Sequence, residues 1–288
     1  MTERLVLGTA QFGLDYGINN INGRLTKKEI FHILKIAHSG GIRELDTANV
    51  YGNSEKLIGE FLDQNRNLKF KITSKISKKS LSFESQINNS LSDLRIKKID
   101  TLLFHSLDLY EYFKDQLQEY ISFNKNCPFD EIGVSVYTNK ELQTLMNEKV
   151  IDRIQVPFNL FDNVNYRGDI FLRLKSENKK IDIRSIFLQG LFFIDTEKLP
   201  EKLKSFKTSL ELLKEISNKS GLNIQQLAMG YVSSFSFIDK ILIGVDSIDQ
   251  INNNLKYSNT TLSKSLKKKL ENIPIENPEF LNPVLWGE

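Results

Sequence analysis

IRELDTANVYGNSEKLIGEFLDQ, residues 42–64, contains one complete unit of the architecture. Ile42–Asp46 reads as a short apolar strand ending in a carboxylate. A polar loop with Tyr51 and Gly52 follows, and Glu55–Gln64, opened by Ser54, reads as an amphipathic helix. The same alternation runs along the chain. Further strands are expected at Leu5–Leu7, Phe70–Lys75, Ile99–Phe104, Glu131–Val134, Arg153–Pro157, Ile181–Ile186 and Lys240–Ile243, eight in all. Helices are expected over Lys27–Ser39, Phe83–Leu94, Tyr110–Phe123, Lys140–Asn147 and Arg167–Ser176, with a longer pair across Glu201–Phe235. Thr26 and Glu29 have capping-box spacing at the start of the first helix, and Gly40-Gly41 ends it.

Strands separated by single helices pair in parallel, and eight such units close as a (β/α)8 TIM barrel, an α/β fold. A doubly wound sheet would want G-x-G-x-x-G after its first strand, where residues 8–13 read GTAQFG. With no linker and no repeat longer than one βα unit, residues 1–288 are expected to form one domain. Length alone would equally fit two. The 26% charged residues leave a net charge of only +3, which points away from nucleic-acid and membrane partners. One cysteine, Cys127, excludes an internal disulfide, and three histidines with it make a catalytic zinc unexpected. The N-terminus MTERLVLG has no basic stretch leading into a long apolar run, so the cytoplasm is the expected location.

A barrel carries its chemistry at the C-terminal ends of the strands. Asp46 ends the second expected strand, Tyr51 lies in the loop after it, Lys75 ends the third, and His105 follows the fourth. Singly, each has an ordinary reading: a helix cap, a loop tyrosine, one lysine among several, a structural histidine. Together on one face they make an acid. A phenol with a reference pKa of about 10 holds its proton at neutral pH. An ammonium beside it favours the phenolate, a carboxylate holds the ammonium, and an imidazole can orient a carbonyl oxygen. Such a set protonates an oxygen on which charge develops as hydride reaches a carbonyl carbon.

These words, LDTANVYG, TSKIS and LLFHS, resemble those of the aldo-keto reductase superfamily, whose Asp, Tyr, Lys, His tetrad falls on Asp46, Tyr51, Lys75 and His105. The resemblance runs from about Leu5 to Leu255. It implies a reductase that takes hydride from NADP(H) or NAD(H) to an aldehyde or ketone, with a small-molecule carbonyl compound as substrate. A cofactor-binding, redox-sensing subunit with little turnover is the alternative from another class, and a metal-dependent barrel isomerase or hydrolase a third. By the same resemblance Gly8, Thr9, Ser135, Gln155, Arg184, Ser185, Leu188, Gly190, Gly244, Asp246, Ser247, Gln250 and Asn254 fall on cofactor-binding positions. Ser135 and Gln155 match residues that bond the nicotinamide carboxamide, although Val136 stands where an asparagine is common.

Arg184 stands where many relatives carry a tyrosine stacked on the nicotinamide, so Arg184 or Phe187 covers the ring, or the pocket is rearranged. Gln189-Gly190-Leu191 resembles a loop that brings backbone N–H groups to the pyrophosphate, or is a plain glycine turn. Asp246 occupies a position where relatives preferring the phosphorylated cofactor often have arginine; it faces the ribose or caps the next helix. GTAQFGLDYGINN is similar to reductases that accompany bacterial surface-sugar biosynthesis, which implies a keto-sugar or sugar nucleotide. Substrate walls are expected from Tyr16, Tyr110, Phe192, Phe193 and Trp286, in the loops after strands one, four and seven and the tail Ile273–Glu288.

Overall fold

Eight strands pair in sequence order, every neighbour parallel, and the last closes on the first. They are β1 (Leu5–Gly8), β2 (Glu44–Asp46), β3 (Lys71–Ile76), β4 (Ile99–Phe104), β5 (Phe129–Ser135), β6 (Arg153–Pro157), β7 (Lys180–Arg184) and β8 (Lys240–Gly244). The structure, a computed structural model, describes residues 2–18, 20, 23–124 and 126–286. Asn19 of the GINN phrase and the last two residues of the tail, Gly287 and Glu288, lie outside that range. The helices are α1 (Ala10–Gly13), α2 (Lys27–Ser39), α3 (Ser54–Gln64), α4 (Phe83–Leu94), α5 (Leu107–Phe123) and α6 (Asn139–Leu145). There follow α7 (Val164–Ser176), α8 (Lys207–Ser220), α9 (Ile224–Ser233), α10 (Ile248–Tyr257) and α11 (Lys264–Glu271). The expected barrel is the observed one.

Most differences from the sequence reading lie at element ends and have local causes. β7 stops at Arg184 and not Ile186, because Ser185 turns into the left-handed region at φ 56°. α5 begins three residues early, where Ser106 accepts from the Leu109 N–H at 3.2 Å. α7 likewise starts at Val164 behind an Asn163 cap. Ser54 does not cap α3; Asn53 holds that place without a side-chain bond, and the Ser54 hydroxyl is turned inward. α11 was not anticipated, since KSLKKKLE has only two apolar residues to mark a face. The capping box at Thr26 and Glu29 is present in full.

Register decides which side chains reach the interior. Leu7 pairs with Leu45 and Ile243, and Leu45 with Ile72, so these residues share the outer face. There, with Leu102, Phe104, Ile132, Val134, Ile154, Val156, Ile181, Ile183 and Ile241, they are buried under the helices. Each such side chain contributes about 1.5–3 kcal/mol by leaving water. The alternate residues point inward, and many are polar. At the N-terminal end Arg153 donates to Glu131 at 2.7 Å and to Asp182 at 2.6 Å, Lys180 also bonds Glu131, and Lys240 pairs with Glu44.

The helical layer is tightest between α3 and α4. A Cβ on Gly59 would lie 2.2 Å from the Asp93 carbonyl oxygen and 2.8 Å from the Leu94 carbonyl carbon, both backbone atoms that cannot swing away. Gly59→Ala is therefore expected to destabilise the fold by about 1–3 kcal/mol despite alanine's better helix propensity. The readout is a lower urea midpoint at an unchanged slope. A midpoint equal to or above wild type would show that α3 shifts freely.

Candidate active site

Following the inward face to the C-terminal ends, each strand presents one residue to the same space. Gly8 pairs with Asp46 and Gly244; Asp46 pairs with Thr73, two before Lys75. Lys75 pairs with Leu103, two before His105; Ser135 pairs with Gln155, and Pro157 with Arg184. Asp46, Lys75 and His105 are thus brought together by strand parity. Lys75 Nζ donates to Asp46, donates to Thr47 O at 2.9 Å, and lies 3.5 Å from Tyr51 Oη. Gln155 donates to the other Asp46 oxygen at 2.8 Å. The Tyr51 and His105 rings meet edge-on, their centroids 6.0 Å apart.

Tyr51 is in a loop, so its position needs separate support. Thr9 Oγ1 donates to the Asp46 carbonyl at 2.9 Å, and Ser54 Oγ lies 2.9 Å from Thr9 Oγ1 and 3.1 Å from Thr47 Oγ1. These buried hydroxyls tie the ends of β1 and β2 to the start of α3. Gly52 adopts φ 57°, and a Cβ on Gly13 would fall 1.7 Å from the Tyr51 carbonyl oxygen. The GTAQFG and YG glycines therefore press backbone against backbone, which fixes where the phenol emerges. Glu55 of α3 accepts from Ser74 at 2.5 Å and from Ser90 at 3.2 Å, holding β3 against that helix.

The ionisation states follow from burial and the cations. Burial pushes the Tyr51 phenol above its ordinary range, and Lys75, with Arg184 behind it, pulls it partly back. Burial also opposes the Lys75 ammonium, but Asp46 and then Tyr51 more than offset that and hold its pKa up. His105 is lowered to about 3 by burial, then by Lys75 and Arg184, so it is a neutral imidazole.

The tetrad opens on a cavity of about 810 Å³ that extends past the ends of β7, β8 and β1. Asp46, Tyr51 and His105 line it, whereas Lys75 is buried behind them. Gly8, Thr9, Ser135, Gln155, Arg184, Ser185, Gly190, Gly244, Asp246, Gln250 and Asn254 also line it. Leu188 does not; it is buried in the core. Ser247 accepts from Gln250 N–H at 3.2 Å as the cap of α10 and lines an adjoining recess. Asp246 is therefore not that cap. The Gly190 N–H donates to Phe187 O at 2.9 Å, so the loop after β7 turns that donor into itself.

Of the expected wall residues, Tyr16 and Phe193 reach the cavity. Tyr110 and Phe192 are buried in the core, Phe192 against Phe161, and Trp286 packs against the core with its indole N–H on Phe280 O. Phe187, named as a possible cover for the nicotinamide ring, and Gln189 of the expected pyrophosphate loop line the cavity, and Tyr137, Gln225 and Val284 do so unanticipated. The direction of the Gln189 side chain could not have been found from pattern, since it depends on a run of left-handed backbone at Leu188, Gln189 and Gly190. Its side chain donates to Tyr16 Oη at 2.9 Å and its carbonyl accepts from Ile18 N–H at 3.2 Å, bridging the loops after β1 and β7. Burial pushes the Tyr16 phenol up to about 12.

Among known proteins, the family model described as Aldo/keto reductase family matches residues 4–274. MGS-M4, an aldo-keto reductase enzyme from a Medee basin deep-sea metagenome library, superposes with a TM-score of 0.65 at 20% identity, over 95% of this chain and 92% of its own. PA4992 of Pseudomonas aeruginosa gives 0.61 at 19% identity over 88% and 89%. Ligand-free Gox0644 gives 0.69 at 15% identity over 96% and 90%. At these identities the structural likeness is one of fold. No curated protein matches the sequence significantly.

The depressed histidine has a direct readout. Between about pH 3 and 6.5 the unfolded chain would hold a proton that folded His105 refuses, so this residue's contribution to stability falls as pH falls through that window. In two-bond ¹H–¹⁵N NMR the His105 imidazole is expected to stay neutral from pH 8 down to about 5. A midpoint near 6.5 would remove the cationic neighbourhood assigned to it.

Proposed function

Because the chain belongs to the aldo/keto reductase family, it is an oxidoreductase that uses NADP(H) or NAD(H), and we propose that Tyr51 is the acid of its carbonyl reduction. The observation that carries this reading is the contact of the Tyr51 hydroxyl with the Lys75 ammonium at 3.5 Å, at the floor of the large cavity and beside a neutral His105. The cavity fits a dinucleotide. It passes Gly8, Gly190 and Gly244, and it reaches Asp246 and Gln250 beside the N-terminus of α10, which favours negative charge. Ser135, Gln155 and Arg184 would hold the nicotinamide end, and Gln250 and Asn254 the adenosine end.

The cofactor supplies hydride to the carbonyl carbon. His105, uncharged, orients the carbonyl oxygen by a hydrogen bond without competing for the proton. Tyr51 donates its proton to that oxygen as charge builds there, and Lys75 stabilises the phenolate left behind. Asp46, held by Gln155, keeps Lys75 charged and in place. A keto-sugar or sugar nucleotide is the proposed substrate. The resemblance of the first loop supports it, as does a lining that mixes aromatic faces at Phe187 and Phe193 with donors at Tyr16, Asn20 and Gln189. A substrate screen that follows reduced-cofactor absorbance and includes such sugars tests this; activity confined to simple aldehydes would exclude it.

Tyr51→Phe is expected to bind cofactor nearly as wild type while turnover falls by ~10²-fold or more. Turnover within a few-fold of wild type would take Tyr51 out of the mechanism. Lys75→Met removes the charge that pulls the phenol down, so turnover should fall and the alkaline limb of the reduction profile should move to higher pH.

The choice of cofactor turns on Asp246. It lines the far end of the cavity and also the adjoining recess of about 340 Å³, which Glu29, Asp249 and Arg24 share. A ribose hydroxyl suits a carboxylate there, and a 2′-phosphate does not. NADH is expected to be used about as well as NADPH. Asp246→Arg should move kcat/KM towards NADPH by at least about tenfold, some 1.4 kcal/mol. A strong wild-type preference for NADPH that the arginine leaves unchanged would turn Asp246 away from the ribose.

A further inference from the structure

The buried cations around the tetrad are matched by carboxylates, and Arg184 departs from that pattern among the described residues. Lys75 is matched by Asp46, and Arg167 by Asp162 at 2.6 Å. Arg184, at the end of β7, has no carboxylate within ion-pair distance among the described residues. Its guanidinium donates to Ser135 Oγ at 3.3 Å, Val136 O at 3.2 Å and Ser185 Oγ at 3.5 Å, and lies 4.1 Å from the Tyr137 ring centroid. These neutral partners fix the cation without cancelling it. Asp162 feels Arg184 but gives both of its carboxylate oxygens to Arg167. The free charge acts on the reacting groups, since it is among the causes that depress His105 and draw Tyr51 and Tyr16 down.

Hydride transfer places a second constraint on the same space. Reacting carbons must approach to about 3–3.5 Å while the carbonyl oxygen bonds Tyr51. On the proposed reading of Tyr51, the reactive ring of the cofactor therefore lies in the part of the cavity that Arg184 lines beside Tyr51 and His105. That ring is neutral when reduced and carries one positive charge when oxidised. A fixed cation repels only the second.

We propose that Arg184 makes the site discriminate between the redox states of its own cofactor, holding the reduced form more tightly and expelling the oxidised one. A separation of about 6–12 Å at an effective dielectric near 20 corresponds to about 10- to 100-fold in the ratio of dissociation constants. Arg184 is half-buried, which favours the lower figure. The step itself balances. Hydride leaves the reduced ring for the carbonyl carbon, the Tyr51 proton goes to the oxygen, and the ring left behind is the cation that Arg184 repels. The bias costs driving force for hydride donation, about 30 mV per tenfold in ratio for a two-electron couple. It speeds clearance of the spent cofactor, and the same charge favours the developing alkoxide.

The test is calorimetric titration of the folded enzyme with NADH and with NAD⁺, and with the phosphorylated pair, for wild type, Arg184→Lys and Arg184→Gln. Wild type should bind the reduced form at least tenfold more tightly. Arg184→Lys keeps the charge and should retain the ratio within about threefold. Arg184→Gln should shrink it about tenfold, chiefly by tighter binding of the oxidised form, with a thermal melt to show that both variants are folded. Equal wild-type affinities would overturn the proposal. So would a ratio that survives in Arg184→Gln, or one lost equally in Arg184→Lys. No turnover is needed for any of these, so an active Tyr51→Phe enzyme, which would sink the proton-donor reading, is a separate result.

Discussion

The buried ion pair between Lys75 and Asp46 is the constraint that most of the C-terminal face serves. Their side chains are 1% and 5% exposed, and either charge left alone there would cost several kcal/mol. The pair survives because its remaining valences are filled. Lys75 reaches Asp46, Thr47 O and Tyr51 Oη, which uses its three protons, and Gln155 supplies the second Asp46 oxygen. That arrangement needs β2, β3 and β6 in the observed register and the loop after β2 folded back. The Thr9, Thr47 and Ser54 hydroxyls and the Gly13–Tyr51 backbone contact supply that fold. An interior that carries charge is therefore no weakness in this barrel. It works as long as every group has its partner, and the Arg153, Glu131 and Asp182 set at the other end obeys the same rule.

What the sequence discloses follows from which features are periodic. Strands with apolar runs and helices with explicit caps were legible, and strand ends placed Asp46, Lys75 and His105 on one face, whereas Ser135, Gln155 and Arg184 were named only through the family resemblance. Loops were not. Ser54 has the look of a cap but is spent on Thr9, and nothing in its spacing says so. Tyr110 and Phe192 sit in segments expected to be open, yet α5 begins early and the turn after β7 coils inward, so both are buried. That turn holds Ser185, Leu188 and Gln189 at positive φ without glycine's tolerance for it, a conformation only the surrounding packing can impose.

The cavity is electrostatically lopsided along its length. Its reacting end holds the unmatched Arg184, while the recess at its far end gathers Glu29, Asp246 and Asp249 against Arg24, whose guanidinium is already bonded to Asn53 at 2.9 Å. The Tyr16–Gln189 bridge lies along the same cavity. A ligand whose charge changes at one end and not at the other meets a site that responds at that end alone.

The upward displacement of Tyr51 bears on how such an acid works. A phenol drawn far below its ordinary value would lose its proton to solvent before a substrate arrived, and a phenol left wholly to burial would resist giving it up. Burial wins here by a margin that Lys75 and Arg184 reduce, so the proton stays on through neutral pH in the resting site. On the proposed mechanism, transfer then waits for a base stronger than the phenolate. The alkoxide formed by hydride arrival is such a base, and an unreduced carbonyl oxygen is not. Neutral His105 fits this order of events, since an imidazolium beside the same oxygen would be a stronger acid than the phenol and would act first. On that mechanism, burial and then the two cations, by depressing His105, keep the proton transfer on Tyr51.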